Sequence, residues 1–93
     1  MAELNFTGDQ ARAFRSCVEV GVDGLDGPAG DAVLALAARA REGEPLLVPD
    51  AVQQDLQSAF VVGLEGLEGS DPLFPLAWEV GGQFNLSGMA PVP

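Results

Sequence analysis

Residues 21–27 read Gly-Val-Asp-Gly-Leu-Asp-Gly, and residues 63–69 read Gly-Leu-Glu-Gly-Leu-Glu-Gly. When the chain is shifted by forty-two positions, residues 2–27 and 44–69 share seven identities, and apolar pairs such as Phe14 and Leu56 also coincide. A fixed period of this length is a signature of a duplicated supersecondary unit. The alternative interpretation is chance similarity in a chain rich in Gly, Ala and Leu.

The segment before the first copy predicts a strand and a helix. Alternation at residues 2–6 is typical of a short strand. Thr7, with Gln10 three residues later, fits a capping box that begins the helix. Gly21 is expected to end this helix, because glycine adopts the left-handed conformation at little cost.

Two further helices are predicted between the copies of the pattern. After a turn-rich loop at 21–30, a helix is expected from Ala32 to about Glu42. Residues 46–49 are expected to form an extended connector. The next helix begins with Asp50 as its cap and runs to about Leu64, with an apolar stripe along one face.

The end of the chain predicts a β-hairpin, because two alternating runs at 76–80 and 83–86 flank a Gly-Gly pair. Two strands alone are marginal in water, so we expect the N-terminal strand to join them. The fold class is therefore α+β, mainly α: three helices packed on a small antiparallel sheet formed by the N-terminal strand and the C-terminal hairpin. Residues 1–93 are expected to form one small acidic domain with a loose tail at 87–93.

The repeat also suggests a different fold, an all-α four-helix bundle built from a duplicated helical hairpin. Its fourth helix would lie at 72–80. Pro72 and Pro75 count against a long helix there, since proline interrupts helix interiors. We therefore favour the sheet.

Charge and composition exclude several functions. The formal net charge is −10, from fourteen acidic residues against four basic ones, all arginine. Such a chain repels nucleic-acid phosphates and anionic membrane surfaces, so neither is expected as a partner. With no His, Lys or Tyr, most acid–base and covalent chemistry is missing, and we expect neither catalysis nor a cofactor.

Cysteine usage and apolar runs bear on location. The single cysteine, Cys17, can form no internal disulfide and is expected to be a small buried residue. The first residues lack the features of a signal peptide, and no run approaches the roughly 18–20 apolar residues of a membrane span. We therefore expect a cytoplasmic protein.

Two acidic loops, 21–31 and 63–71, are candidates for a cation site. Their acidic residues are Asp23, Asp26, Asp31, Glu65, Glu68 and Asp71. Calcium prefers oxygen ligands, but the spacing fits neither the EF-hand nor the calcium-binding β-helix repeat. The simpler interpretation is solvated loops whose charge prevents aggregation.

Large apolar residues near the C-terminus are candidates for partner binding. They are Phe74, Trp78, Val80 and Phe84. Tryptophan is enriched at binding hot spots. The competing interpretation is that they complete the core, and exposure of Phe74 or Trp78 would favour binding instead.

By elimination, the sequence predicts a small acidic protein-binding module acting as adaptor, regulator, inhibitor or assembly component. Its partner would be another protein, with a basic protein and a second copy of the chain as the two candidates. A calcium-responsive module using the two acidic loops is one alternative. An acidic DNA mimic that inhibits a DNA-binding protein is another.

Overall fold

The structure, a computed structural model, describes residues 2–86 and the side chains of residues 2–84. Along this range the elements are β1 (Ala2–Leu4), α1 (Gly8–Gly21), a 3-10 turn (Val22–Gly24), α2 (Gly27–Ala37), β2 (Leu46–Val48), α3 (Asp50–Glu65) and α4 (Phe74–Leu86). The tail expected at 87–93 lies outside the described residues. No helix in the described range is both long and apolar enough to cross a bilayer.

Helix α1 begins as its sequence predicts. The Thr7 hydroxyl accepts a hydrogen bond from the Gln10 backbone N–H at 3.2 Å, and the Gln10 side chain accepts one from the Thr7 N–H at 3.0 Å. This reciprocal pair is the capping box. At the other end Gly21 has φ of −76°, not the left-handed value, and the chain continues into the 3-10 turn. The backbone conformation at Gly21 therefore does not require glycine.

Helix α2 starts earlier than predicted. It begins at Gly27, inside the stretch expected to be a loop, and Pro28 lies in its first turn. Proline is favoured there, because the first N–H groups of a helix have no partner to lose. The helix also ends at Ala37, before the predicted limit near Glu42, and the chain then turns at Gly43, where φ is +78°.

The predicted C-terminal hairpin is wrong, because residues 74–86 form helix α4. Pro75 lies in its first turn, where proline does no harm. The buried side chains of α4, Ala77, Val80 and Phe84, are spaced by three and four residues, which places them on one helical face. Burial of this face against the other helices outweighs the local turn signal of the Gly-Gly pair.

The sheet is antiparallel, as predicted, but its second strand is different. β1 pairs with β2, the segment expected to be a connector, in a register that places Ala2 opposite Val48 and Leu4 opposite Leu46. These four side chains are buried, whereas Glu3 and Leu47 between them are exposed. The fold is therefore α+β and mainly α, with four helices in the described range instead of three. The all-α alternative has the right helix number but lacks the sheet.

Phenylalanine rings from three helices and from the segment between β1 and α1 meet in the core. The ring centroid of Phe14 on α1 lies 4.9 Å from Phe6 and 5.9 Å from Phe60 of α3. Phe60 in turn lies 4.8 Å from Phe84 of α4, edge to face. Such pairs add to the stabilisation from burial. The core thus joins both halves of the chain.

The two halves make reciprocal contacts under the forty-two-residue shift. α1 begins at residue 8 and α3 at residue 50. Gly21 lies directly against the backbone of Ala59, and Gly63 lies directly against the backbone of Cys17. Positions 17 and 59 are related by the shift, as are 21 and 63, so each contact is the image of the other. The strand pair Leu4–Leu46 is also related by the shift.

We infer an approximate twofold relation between the halves from these reciprocal contacts. Each half is then a βαα unit, β1-α1-α2 and β2-α3-α4. The buried positions Val33, Leu36 and Ala40 align in sequence with those of α4 at an offset of forty-four, which corresponds to two extra residues in the second loop. The structure thus favours the duplication hypothesis over chance similarity.

Candidate functional site

Helix α4 carries a core-facing side and an exposed aromatic side. Val80 is fully buried and Phe84 is 4% exposed, so these two predicted partner residues lie in the core. Trp78 is 66% exposed, the highest value among the exposed large apolar residues of the described chain. Of the four predicted partner residues, the structure therefore leaves Trp78 exposed and Phe74 half-buried.

The exposed side of α4 forms a continuous surface, which we call the α4 patch, made of Phe74, Pro75, Trp78 and Glu79. These residues line a shallow hollow of about 490 Å³. The rings of Phe74 and Trp78 are stacked, with centroids 6.1 Å apart and planes inclined by 23°. Stacking already restricts both side chains, so they lose less conformational entropy when a partner covers them.

Hydrogen bonds to the N-terminal region hold the α4 patch in place. Glu79 Oε2 accepts a hydrogen bond from Gln10 Nε2 at 3.0 Å. One turn further, Gln83 Oε1 accepts one from the Asn5 backbone N–H at 3.0 Å. Because Gln10 belongs to the capping box of α1, the carboxylate beside Trp78 is fixed by the fold. Its second oxygen remains able to accept a further bond.

The other exposed large apolar residues are distributed over separate elements. They are Val20, Leu34, Leu47 and Val62. Single exposed aliphatic residues are normal on protein surfaces. An exposed tryptophan stacked on a half-buried phenylalanine is less ordinary, since Trp is usually well buried and is enriched at interfaces.

The structure does not gather the acids of the two loops into a site. Asp23 lies in the 3-10 turn and is exposed, Asp26 precedes α2, and Asp31 lies on the exposed side of α2. No group of three or more acidic, cysteine or histidine residues in the described range is placed to hold a metal ion. The calcium hypothesis stays a prediction without structural support.

The acids of the second loop are placed differently from one another. Glu65 ends α3, and Glu68 is exposed in the following turn. Asp71 Oδ1 accepts a hydrogen bond from the Leu73 backbone N–H at 2.8 Å. Asp71 thus stabilises the turn that leads into α4, a local structural role.

Cys17 is buried and free, as predicted. Burial, with a smaller contribution from the Asp71 carboxylate, raises the pKa of its thiol to about 11. The reactive form of cysteine is the thiolate, so this thiol is poorly suited to nucleophilic chemistry.

The arginines fall into two groups that sequence reasoning did not separate. Arg12 pairs with Asp9 at 3.3 Å, and Arg15 donates to the Ala40 carbonyl at 2.6 Å. Arg39 and Arg41, in contrast, form no ion pair within the described range. They line a hollow of about 260 Å³ next to β2.

A second, apolar hollow adjoins Arg39, between α2 and the start of α3. We call it the α2/α3 groove. It measures about 220 Å³ and is lined by Ala32, Ala35, Leu36, Arg39, Pro49 and Val52. Nothing in the sequence pattern predicted it, because its two walls come from segments separated along the chain. Val52, an apolar residue of α3 that stays partly exposed, is the groove residue that most nearly stands out in the sequence.

Comparison with known proteins gives no relative: no protein-family model, no curated protein and no solved structure matches this chain. The functional argument therefore depends on the surface chemistry alone.

Proposed function

We propose that this chain is a small acidic protein-binding module and that the α4 patch is its contact surface. The observation that carries this proposal is the exposure of Trp78, which stands on a helix held by the core and stacks on Phe74. A large apolar side chain exposed to water gains free energy when a partner covers it.

Charge favours a partner that offers a cationic side chain. The chain carries a net charge of −10, and Glu79 lines the same hollow as Trp78. A Lys or Arg over the face of tryptophan gains cation–π attraction, and the adjacent carboxylate would add an ion pair. Supporting this reading, no basic side chain lines the patch itself.

The module is proposed to act in the cytoplasm as an adaptor, regulator, inhibitor or assembly component without catalysis of its own. A free, buried cysteine suits a reducing compartment. The absence of His, Lys and Tyr from the sequence leaves few groups for acid–base chemistry.

The experiment is affinity capture with the immobilised protein and two variants, Trp78→Ala and Val62→Ala. Val62 is 53% exposed on α3 and serves as the matched control. We expect a captured protein to be lost with Trp78→Ala and kept with Val62→Ala, while thermal melting shows both variants folded. A partner that binds all three proteins equally would refute the α4 patch as the contact surface.

A further inference from the structure

Resting on the proposed function, we propose that the partner of the α4 patch is a second copy of this chain, which receives the patch in its α2/α3 groove. The groove offers an apolar floor beside Arg39, which forms no ion pair with any residue that the structure describes. The patch offers the exposed Trp78, stacked on Phe74, beside the carboxylate of Glu79. The two surfaces are thus complementary in both apolar character and charge.

The approximate twofold axis shows why the groove is open. The counterpart of the groove lies between α4 and the start of α1, where Gln10 donates to Glu79 and closes the space. In the groove, the positions of Gln10 and Glu79 are taken by Val52 of α3 and Ala35 of α2, which are apolar and form no such bond. The two halves therefore differ here: one has a polar contact between side chains, and the other has an open apolar groove.

Arg39 provides the charge complement. Its counterpart in the second half is Gln83, which bonds to the Asn5 backbone inside the same molecule. Arg39 has no such partner and no ion pair within the described range, although fourteen acids are present in the chain. In the proposed contact, Trp78 would cover the apolar floor of the groove, and the Glu79 carboxylate would pair with the Arg39 guanidinium at its end.

The resulting contact is heterologous, since each copy uses the patch towards one neighbour and the groove towards another. Such contacts close into rings or continue as filaments, depending on the rotation between neighbours. The patch and the groove share no lining residue, so occupying one leaves the other available. Association is therefore expected to continue beyond a dimer as the concentration rises.

Salt dependence separates a second copy from a basic partner. Two copies of net charge −10 repel one another at long range. Raising the ionic strength from about 0.01 M to about 0.15 M shortens the Debye length from ~30 Å to ~8 Å. This weakens the long-range repulsion more than the contact between Glu79 and Arg39, so self-association should strengthen. Binding to a basic protein should instead weaken.

The test is sedimentation velocity of the full chain over a wide range of concentration, with charge-reversal variants. Glu79→Arg alone places two cations against each other at the contact, and Arg39→Glu alone places two carboxylates there. Each variant should therefore associate more weakly than the wild type by about tenfold or more. An equimolar mixture of the two variants restores an opposite-charge pair at every contact and should associate again. Trp78→Ala should also weaken association by about tenfold or more, whereas Val62→Ala should not.

Each result decides the proposal. Restored association in the mixture supports it, because loss of folding in either variant could not be rescued by the other. A wild-type chain that stays monomeric at all concentrations overturns it, as does a mixture of folded variants that fails to associate. If the wild type is monomeric but Trp78→Ala still loses a captured protein, the proposed function stands and the second copy is rejected.

Discussion

The thiol of Cys17 should lose its proton at a higher pH in the folded chain than in the unfolded chain. Burial, with a smaller contribution from Asp71, raises the pKa of its thiol from 9.0 to about 11. The chain has no Tyr or Lys, the other side chains that commonly lose a proton in this range. Between pH 9 and 11 the thiol is therefore the one side chain whose protonation should affect stability.

The first prediction follows from this window. Below pH 9 both folded and unfolded chains hold the proton, and the stabilisation is fully present. Between pH 9 and 11 the unfolded chain releases the proton while the folded chain keeps it, so the free energy of unfolding should fall by about 2–3 kcal/mol. Denaturant titrations across this range would measure the fall. The Cys17→Ala variant should show a flat profile, and an equal slope in both proteins would contradict the assignment.

Trp78 is the only tryptophan, which makes its fluorescence a direct report on the α4 patch. At 66% exposure, its emission in the folded protein should be red-shifted and quenched by acrylamide nearly as well as in the unfolded chain. If self-association or partner binding covers the ring, emission should shift to shorter wavelength and quenching should decrease. A blue-shifted, protected tryptophan in a dilute monomer would show that it completes the core instead.

At the scale of elements, α4 shows where local patterns mislead. Residues 76, 78, 80, 84 and 86 are apolar and alternate around a Gly-Gly pair, which is typical of a hairpin. Positions 77, 80 and 84 form an equally regular helical face, and Phe84 in that face reaches the ring of Phe60. Short segments often fit both periods, and long-range packing then decides between them.

Gly82→Ala tests this assignment directly. Gly82 is exposed in α4, and an added Cβ would meet nothing within 4 Å. Alanine in a helix is favoured over glycine, so stability should rise by about 0.5–1 kcal/mol. In a Gly-Gly hairpin turn the same change would oppose the positive φ that such turns require and lower stability. Thermal or denaturant unfolding would give the sign.

The features that the sequence could predict are local ones. The capping box of α1 depends on Thr7 and Gln10, three residues apart, and the structure reproduces it. The β1–β2 pairing joins Leu4 to Leu46, and no local signal identifies a three-residue strand by its distant partner. The same limit applies to the candidate site: Trp78 could be named from its residue type, but its exposure depended on which face of α4 became buried.

At the scale of the whole molecule, the repeat in the sequence corresponds to the way the halves fit together. Gly21 and Gly63 are identical in the two copies because each allows one helix backbone to approach the other. Seven identities are a weak signal, yet they include the glycine pair, Gly21 and Gly63, at the crossing of α1 and α3. A duplicated unit that packs on its own copy keeps the residues of that interface while the outer surfaces diverge, as α2 and α4 have done.

The last prediction concerns Gly21→Ala and Gly63→Ala as a pair. In each variant the new methyl group would overlap the backbone of the opposite helix, at Ala59 or at Cys17, and a backbone cannot move aside as a side chain can. Each variant should therefore lose about 3 kcal/mol or more, because α1 and α3 must separate to make room. Gly82→Ala, which should raise the free energy of unfolding, is the control. The approximate twofold further requires the two losses to be similar in size, so a large loss in one variant and a negligible loss in the other would show that the halves are not packed symmetrically.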